Sequence, residues 1–137
     1  MQKKHLGAVL ILFFFVVAGY FSAQKKSDLS TISCLDLSKV CSVTAGLNIS
    51  TDHPPQIMRP FRLLINASEM TPIAASFAMQ GMDMGLNRYR LIKQGDGWWA
   101  ADVTLPVCIQ GRSSWLLELE VKMHSKQQRY YVAFNSR

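Results

Sequence analysis

Three methionines, Met79, Met82 and Met84, fall within six positions of the stretch FAMQGMDMGLNRYRL (residues 77–91), broken by Gly81 and closed by Gly85. Thioether sulfur is a soft, neutral donor. It suits Cu(I), which accepts two or three ligands and makes few demands on geometry. Glycines on both sides free the backbone to aim neighbouring side chains at one point. Methionine also fills irregular gaps beneath loops, so packing is the competing explanation. Along residues 73–80, period-two alternation puts Ala75, Phe77 and Met79 on one face. Met79 therefore fits either a core position or a ligand at a strand end, while Met82 and Met84 lie beyond the strand. The candidate metal ligands are Met79, Met82 and Met84, with His53 as the candidate fourth, and the metal they suit is Cu(I). His53 sits in the proline-rich stretch DHPPQIMRP (residues 52–60), which strand pairing does not constrain. His5 flanks an apolar run, and His124 follows Met123 on a strand pattern, where neighbours point to opposite faces.

The chain has three cysteines, Cys34, Cys41 and Cys108. An odd count allows at most one intrachain bridge and leaves one thiol over. The expected bridge is Cys34–Cys41, with Cys108 free. SCLDLSKVC (residues 33–41) has the form of a short helical turn with Ser33 as N-cap and Asp36 at N3. A continuous helix would hold the two cysteines about 10 Å apart along its axis, so a bridge requires the chain to reverse before Cys41. No Cys-x-x-Cys occurs, which disfavours a thiol oxidoreductase. Gly-x-Ser-x-Gly, His-Glu-x-x-His and a phosphate loop are also absent. Asp83, Asp96 and Asp102 are scattered. Glu118 and Glu120 share one strand face, which fits a solvated surface better than an acid pair. No enzyme activity is expected. Asn48 and Asn66 stand in glycosylation sequons, a match frequent by chance.

The elements that must position these residues read as strands. SWLLELEVKM (residues 114–123) alternates cleanly, with Trp115, Leu117, Leu119, Val121 and Met123 on one face and Leu116, Glu118, Glu120 and Lys122 on the other. Further β-favouring runs occupy residues 45–51, 61–67, 73–80, 88–94, 98–105 and 129–135, and Gly95, Asp96 and Gly97 between two of them signal a hairpin. About seven such runs at roughly 10-residue spacing indicate an all-β sandwich.

Ahead of the strands, residues 6–23 form 18 consecutive uncharged, mostly apolar positions. As a helix they would span about 27 Å, close to the hydrocarbon thickness of a bilayer. Cleavage after Ala23 or Ser22 would put the bulky Phe21 or Tyr20 at the −3 position, and a cut after Ala18, with Val16 at −3, would leave an apolar stub, which favours an uncleaved signal-anchor over a removed leader. The expected organisation is a cytoplasmic stub and transmembrane anchor at 1–23, a juxtamembrane linker carrying the cysteine pair at 24–44, and a periplasmic β-sandwich at 45–137. The net charge of +6 owes four units to Lys3, Lys4, Lys25 and Lys26 beside the apolar run. What remains is mildly basic with no nucleic-acid module, so nucleic acid is not an expected partner.

Residues 77–85, 95–106 (GDGWWAADVTLP) and 108–119 (CIQGRSSWLLEL), behind an N-terminal apolar anchor, resemble the FixH-like and YtkA-like group of membrane-anchored proteins. The similarity spans about residues 60–135 plus the anchor. It implies an immunoglobulin-like sandwich in the periplasm, single-pass in the inner membrane. It further implies a part in copper delivery or respiratory oxidase assembly, with oxidase subunits or copper chaperones as partners. By residue, the resemblance carries a metal role only to Met79, Met82 and Met84. The alternative is a non-metal interaction module that docks onto a membrane complex. With an anchor that points the domain outward, a reporter enzyme fused after Arg137 is expected to be active only if it requires export. Activity of a cytoplasm-only reporter at that position would refute the topology.

Overall fold

The computed structural model describes residues 31–79, 82, 87–107 and 111–137. The apolar run at 6–23 and Met84 and Cys108 lie outside the described residues. Among the described residues no helix is long and apolar enough to cross a membrane. The described residues are all-β, with ten strands among them in chain order: β1 Thr31–Ser33, β2 Cys41–Thr44, β3 Leu47–Thr51, β4 Phe61–Ala67, β5 Thr71–Met79, β6 Arg88–Arg90, β7 Ile92–Gly95, β8 Trp98–Val103, β9 Ser114–Met123 and β10 Lys126–Asn135. Two five-stranded sheets result. The first has the order β1-β10-β9-β5-β6 and the second β2-β3-β4-β8-β7, and they face each other across one apolar core in a sandwich-like arrangement. All pairings are antiparallel except β1 with β10.

Alternation decides which face of each strand is inside. On β9, Trp115, Leu117, Leu119 and Val121 are buried, and on β4 the same holds for Phe61, Leu63, Ile65 and Ala67. Glu118 and Glu120, on the outer face of β9, pair with Arg129 and Arg88. Those carboxylates are thus charge-paired and partly covered on the outer face, with the Glu120 side chain 13 % exposed. Phe77 of the first sheet is the ring around which the core closes. It makes edge-to-face contacts with Phe61 of the second sheet at 6.2 Å, with Phe134 at 6.1 Å and with Tyr89 at 5.9 Å. The Tyr89 hydroxyl donates to the Thr104 carbonyl at 2.7 Å, so its polar tip is satisfied beside the core. The Trp115 indole N–H likewise donates to the Ser136 hydroxyl at 3.1 Å.

Three sequence expectations are corrected. The run 88–94 is two strands rather than one: β6 lies in the first sheet, β7 in the second, and buried Leu91 marks the crossing. Residues 33–41 form no helical turn. Ser33 ends β1, and Asp36 accepts from the Ser38 hydroxyl and backbone N–H in a tight turn, bonds that hold its carboxyl below the usual carboxylate range. Residues 31–44 are part of the folded unit, since β1 and β2 belong to the two sheets and Leu37 is 0 % exposed. Strands of only three and four residues hid this region from pattern reading. The described residues therefore hold ten strands, where about seven were expected.

Two-residue turns join β2 to β3, β7 to β8 and β9 to β10. Gly46, at φ 76°, closes β2 to β3, and a Cβ there would meet the Ser68 hydroxyl oxygen at 2.5 Å. His124 and Ser125 join β9 to β10 with φ of 46° and 68°, the pattern of a type I′ turn. Because Phe77 joins both sheets, Phe77→Ala is expected to cost about 3–5 kcal/mol of unfolding free energy, the range for a buried phenylalanine. Urea denaturation followed by tryptophan fluorescence measures it. A loss below about 1 kcal/mol would mean that the ring is not an organising contact.

Candidate functional site

Met79 is the last residue of β5 and pairs with Trp115 of β9. Its side chain is 2 % exposed and belongs to the core cluster. Met82 forms an antiparallel bridge with Met79, and its N–H donates to the Met79 carbonyl at 3.1 Å. Directly opposed residues in such a bridge carry their side chains on the same face, with Cβ atoms about 5 Å apart. Met82 is half-buried and packs against the same cluster. Two of the three thioether side chains are therefore neighbours at one end of the two sheets, on their core-facing side. Met84 lies outside the described residues.

The strand registers identify the loops that share this end. β4 begins here with Phe61, which pairs with Val103 at the end of β8. β9 begins here and β10 ends here, with Asn135 opposite Ser114. The segments 34–40, 52–60, 104–107 and 111–113 thus close the same end as Met79 and Met82. The loops are tied together by backbone hydrogen bonds: Asn135 N–H to Leu35 O at 3.3 Å, Arg137 N–H to Pro55 O at 2.9 Å and Met58 N–H to Leu105 O at 2.9 Å.

His53 shares that end, and its ring is engaged. Nδ1 lies 3.2 Å from the Pro54 carbonyl oxygen, Nε2 lies 3.1 Å from the Pro60 carbonyl oxygen, and Nε2 is 3.7 Å from an Asp52 carboxylate oxygen. Carbonyl oxygens only accept, so both ring nitrogens face acceptors. Binding a metal through either would displace one of these carbonyls. His124 sits in the β9–β10 turn at the opposite end, which removes it from any site with Met79. Among the described residues no group of three or more His, Cys, Asp or Glu side chains is placed to hold a metal ion.

Cys34 and Cys41 form the expected pair, with Cα atoms 6.1 Å apart, inside the normal range for a disulfide. Cys34 follows β1 in the first sheet and Cys41 opens β2 in the second. The reversal that a bridge requires is the Asp36–Ser38 turn, which lets Leu37 enter the core. The Leu37 carbonyl accepts from Thr51 N–H at 2.7 Å.

Two exposed apolar features carry no chemical motif and were not singled out from sequence. Leu35, Val40, Met58 and Val107 are exposed in the loops of the methionine end. On the outer face of the second sheet, Leu64, Ala100 and Ile92 stand in register across β4, β8 and β7, with exposed Trp98 two residues along β8 on the same face. Met58, at φ 60°, is the one exposed apolar side chain in the left-handed region among the described residues, and no local pattern announces that.

No protein-family model, no curated protein and no solved structure matches this chain. The candidate site therefore stands on its own residues.

If the bridge is present, peptide mapping without reductant is expected to recover residues 34 and 41 on one linked fragment. Replacing both cysteines by serine should lower stability by about 2–3 kcal/mol, the chain-entropy value for so short a loop. Recovery of Cys108 in the linkage would refute the pairing.

Proposed function

We propose that the chain is a membrane-anchored accessory protein with an immunoglobulin-like sandwich in the periplasm, acting in copper delivery or respiratory oxidase assembly. The supporting observation is the bridge between Met79 and Met82, which sets two thioether side chains side by side at one end of the sheets. Met84, two residues on, would complete a three-sulfur set for Cu(I), and soft neutral sulfur favours Cu(I) over Zn(II). The Met79 side chain is almost wholly buried, so metal would reach the pair from the side that Met82 covers. His53 is held by its two carbonyl partners and is the weaker fourth ligand. The apolar run at 6–23 supports the anchor. The resemblance of residues 77–85, 95–106 and 108–119 to the FixH-like and YtkA-like group supports the assignment to oxidase assembly. Oxidase subunits or copper chaperones are the partners this assigns.

A second reading, a non-metal module that docks onto a membrane complex, is favoured by two observations. Burial of Met79 is what ordinary packing produces, and Ile92 and Trp98 are exposed on the outer face of the second sheet, flanking buried Ala100. The two readings separate on the methionines.

Replacing Met82 and Met84 together by leucine nearly conserves volume and should cost under about 1.5 kcal/mol. The double variant is expected to fold normally and to lose Cu(I) binding, read by competition with a colorimetric Cu(I) chelator. Unchanged affinity in the folded variant would leave the methionines as packing and favour the docking module.

A further inference from the structure

The two ends of the sheets differ in chemistry. Among the described residues six large apolar side chains are well exposed. Four of them, Leu35 at 68 %, Val40 at 74 %, Met58 at 63 % and Val107 at 58 %, lie in the loops that close the methionine end. The same end carries Lys39, Arg59, Arg112 and Arg137. Among the described residues its acids are Asp36, bound by Ser38, Asp52, which accepts from the Arg62 and His53 backbone N–H groups, and the exposed Asp102, which pairs with Arg62. The opposite end is closed by turns at Ala45–Gly46, Ser68–Glu69, Asp96–Gly97 and His124–Ser125, with no large apolar side chain exposed in them.

Met58 makes the contrast sharper. A φ of 60° is uncommon for a residue other than glycine, asparagine or aspartate. It is enforced by the Met58 N–H bond to the Leu105 carbonyl and by the Ile57–Leu105 bridge. Glycine would relieve the strain, yet the position holds a long apolar side chain that reaches solvent. The fold thus spends conformational energy to display it.

We propose that this end rests on an anionic bilayer surface. Leu35, Val40, Met58 and Val107 enter the headgroup boundary, and Lys39 and Arg59 beside them face lipid phosphates. Apolar side chains with cations next to them in the chain, Lys39 beside Val40 and Arg59 beside Met58, match a headgroup layer with a hydrocarbon floor. Chain length permits it. Seven residues, 24–30, separate the apolar run from β1 and reach up to about 25 Å. Thr31 lies opposite Tyr131, four residues short of Asn135, so the start of β1 is about 14 Å from this end. The inference rests on the anchor proposed for 6–23, and it places the Met79–Met82 pair on the membrane side of the domain.

The test uses the full-length chain with Cys108→Ser, carrying a bimane label at Met58→Cys or at Ser125→Cys. Each is reconstituted into vesicles of phosphatidylcholine with phosphatidylglycerol, or of phosphatidylcholine alone, containing brominated lipid. On the anionic vesicles the label at 58 should be quenched roughly threefold more than the label at 125, and the excess should fall in high salt. Equal quenching at both positions in chains that float with the vesicles would overturn the surface and leave the anchor standing. Excess quenching at 58 that is the same on neutral vesicles would overturn the assignment to anionic lipid. A chain that does not float with the vesicles at all would refute the anchor and the surface together.

Discussion

Everything in this domain depends on closing two amphipathic sheets over one another, and Phe77 is where that closure is most concentrated. Its ring meets Phe61 across the gap between sheets and Phe134 within its own sheet. It also meets Tyr89 at the point where the chain crosses from one sheet to the other. Edge-to-face aromatic contacts add about 0.5–1.5 kcal/mol each beyond area burial. They are also directional, and so they fix how the sheets sit and not merely that they are buried. Leu91, just beyond Tyr89, is buried for the same reason: the chain can change sheets only by passing through the core edge.

The crossing at residues 34–41 does comparable work at the other margin. β1 lies on the edge of the first sheet and β2 on the edge of the second, so the seven-residue spacing of the two cysteines bridges the sheets themselves. The Asp36–Ser38 turn satisfies its own polar groups and drops Leu37 into the core, where it is 0 % exposed. One consequence is that Leu35 and Val40, on either side of the turn, are left facing out. Exposure of apolar residues at this end is thus built from the same reversal that buries Leu37.

The methionines occupy a boundary between these constraints. Period two carries Met79 inward with Phe77 and Ala75, and the bridge brings Met82 to the same side. His53, held by two backbone carbonyls, is part of the loop's architecture before it is part of any ligand set.

The sequence alone determined the all-β class, the β4 and β9 strands with their inward and outward faces, the Gly95–Gly97 hairpin and the cysteine pair. Each rests on local periodicity or on a short chemical pattern, which neighbouring residues carry by themselves. Only the tertiary structure decided that residues 88–94 divide between two sheets and that residues 31–44 belong to the fold, because short strands signal weakly and gain their stability from partners distant in the chain. It also decided that Met79 is core and that Met82 lies beside it. Alternation could place Met79 on a face, but which face is covered depends on the sheet opposite. The gathering of Leu35, Val40, Met58 and Val107 at one end was likewise illegible in sequence, since three loops spread over more than 70 residues become neighbours only through strand register.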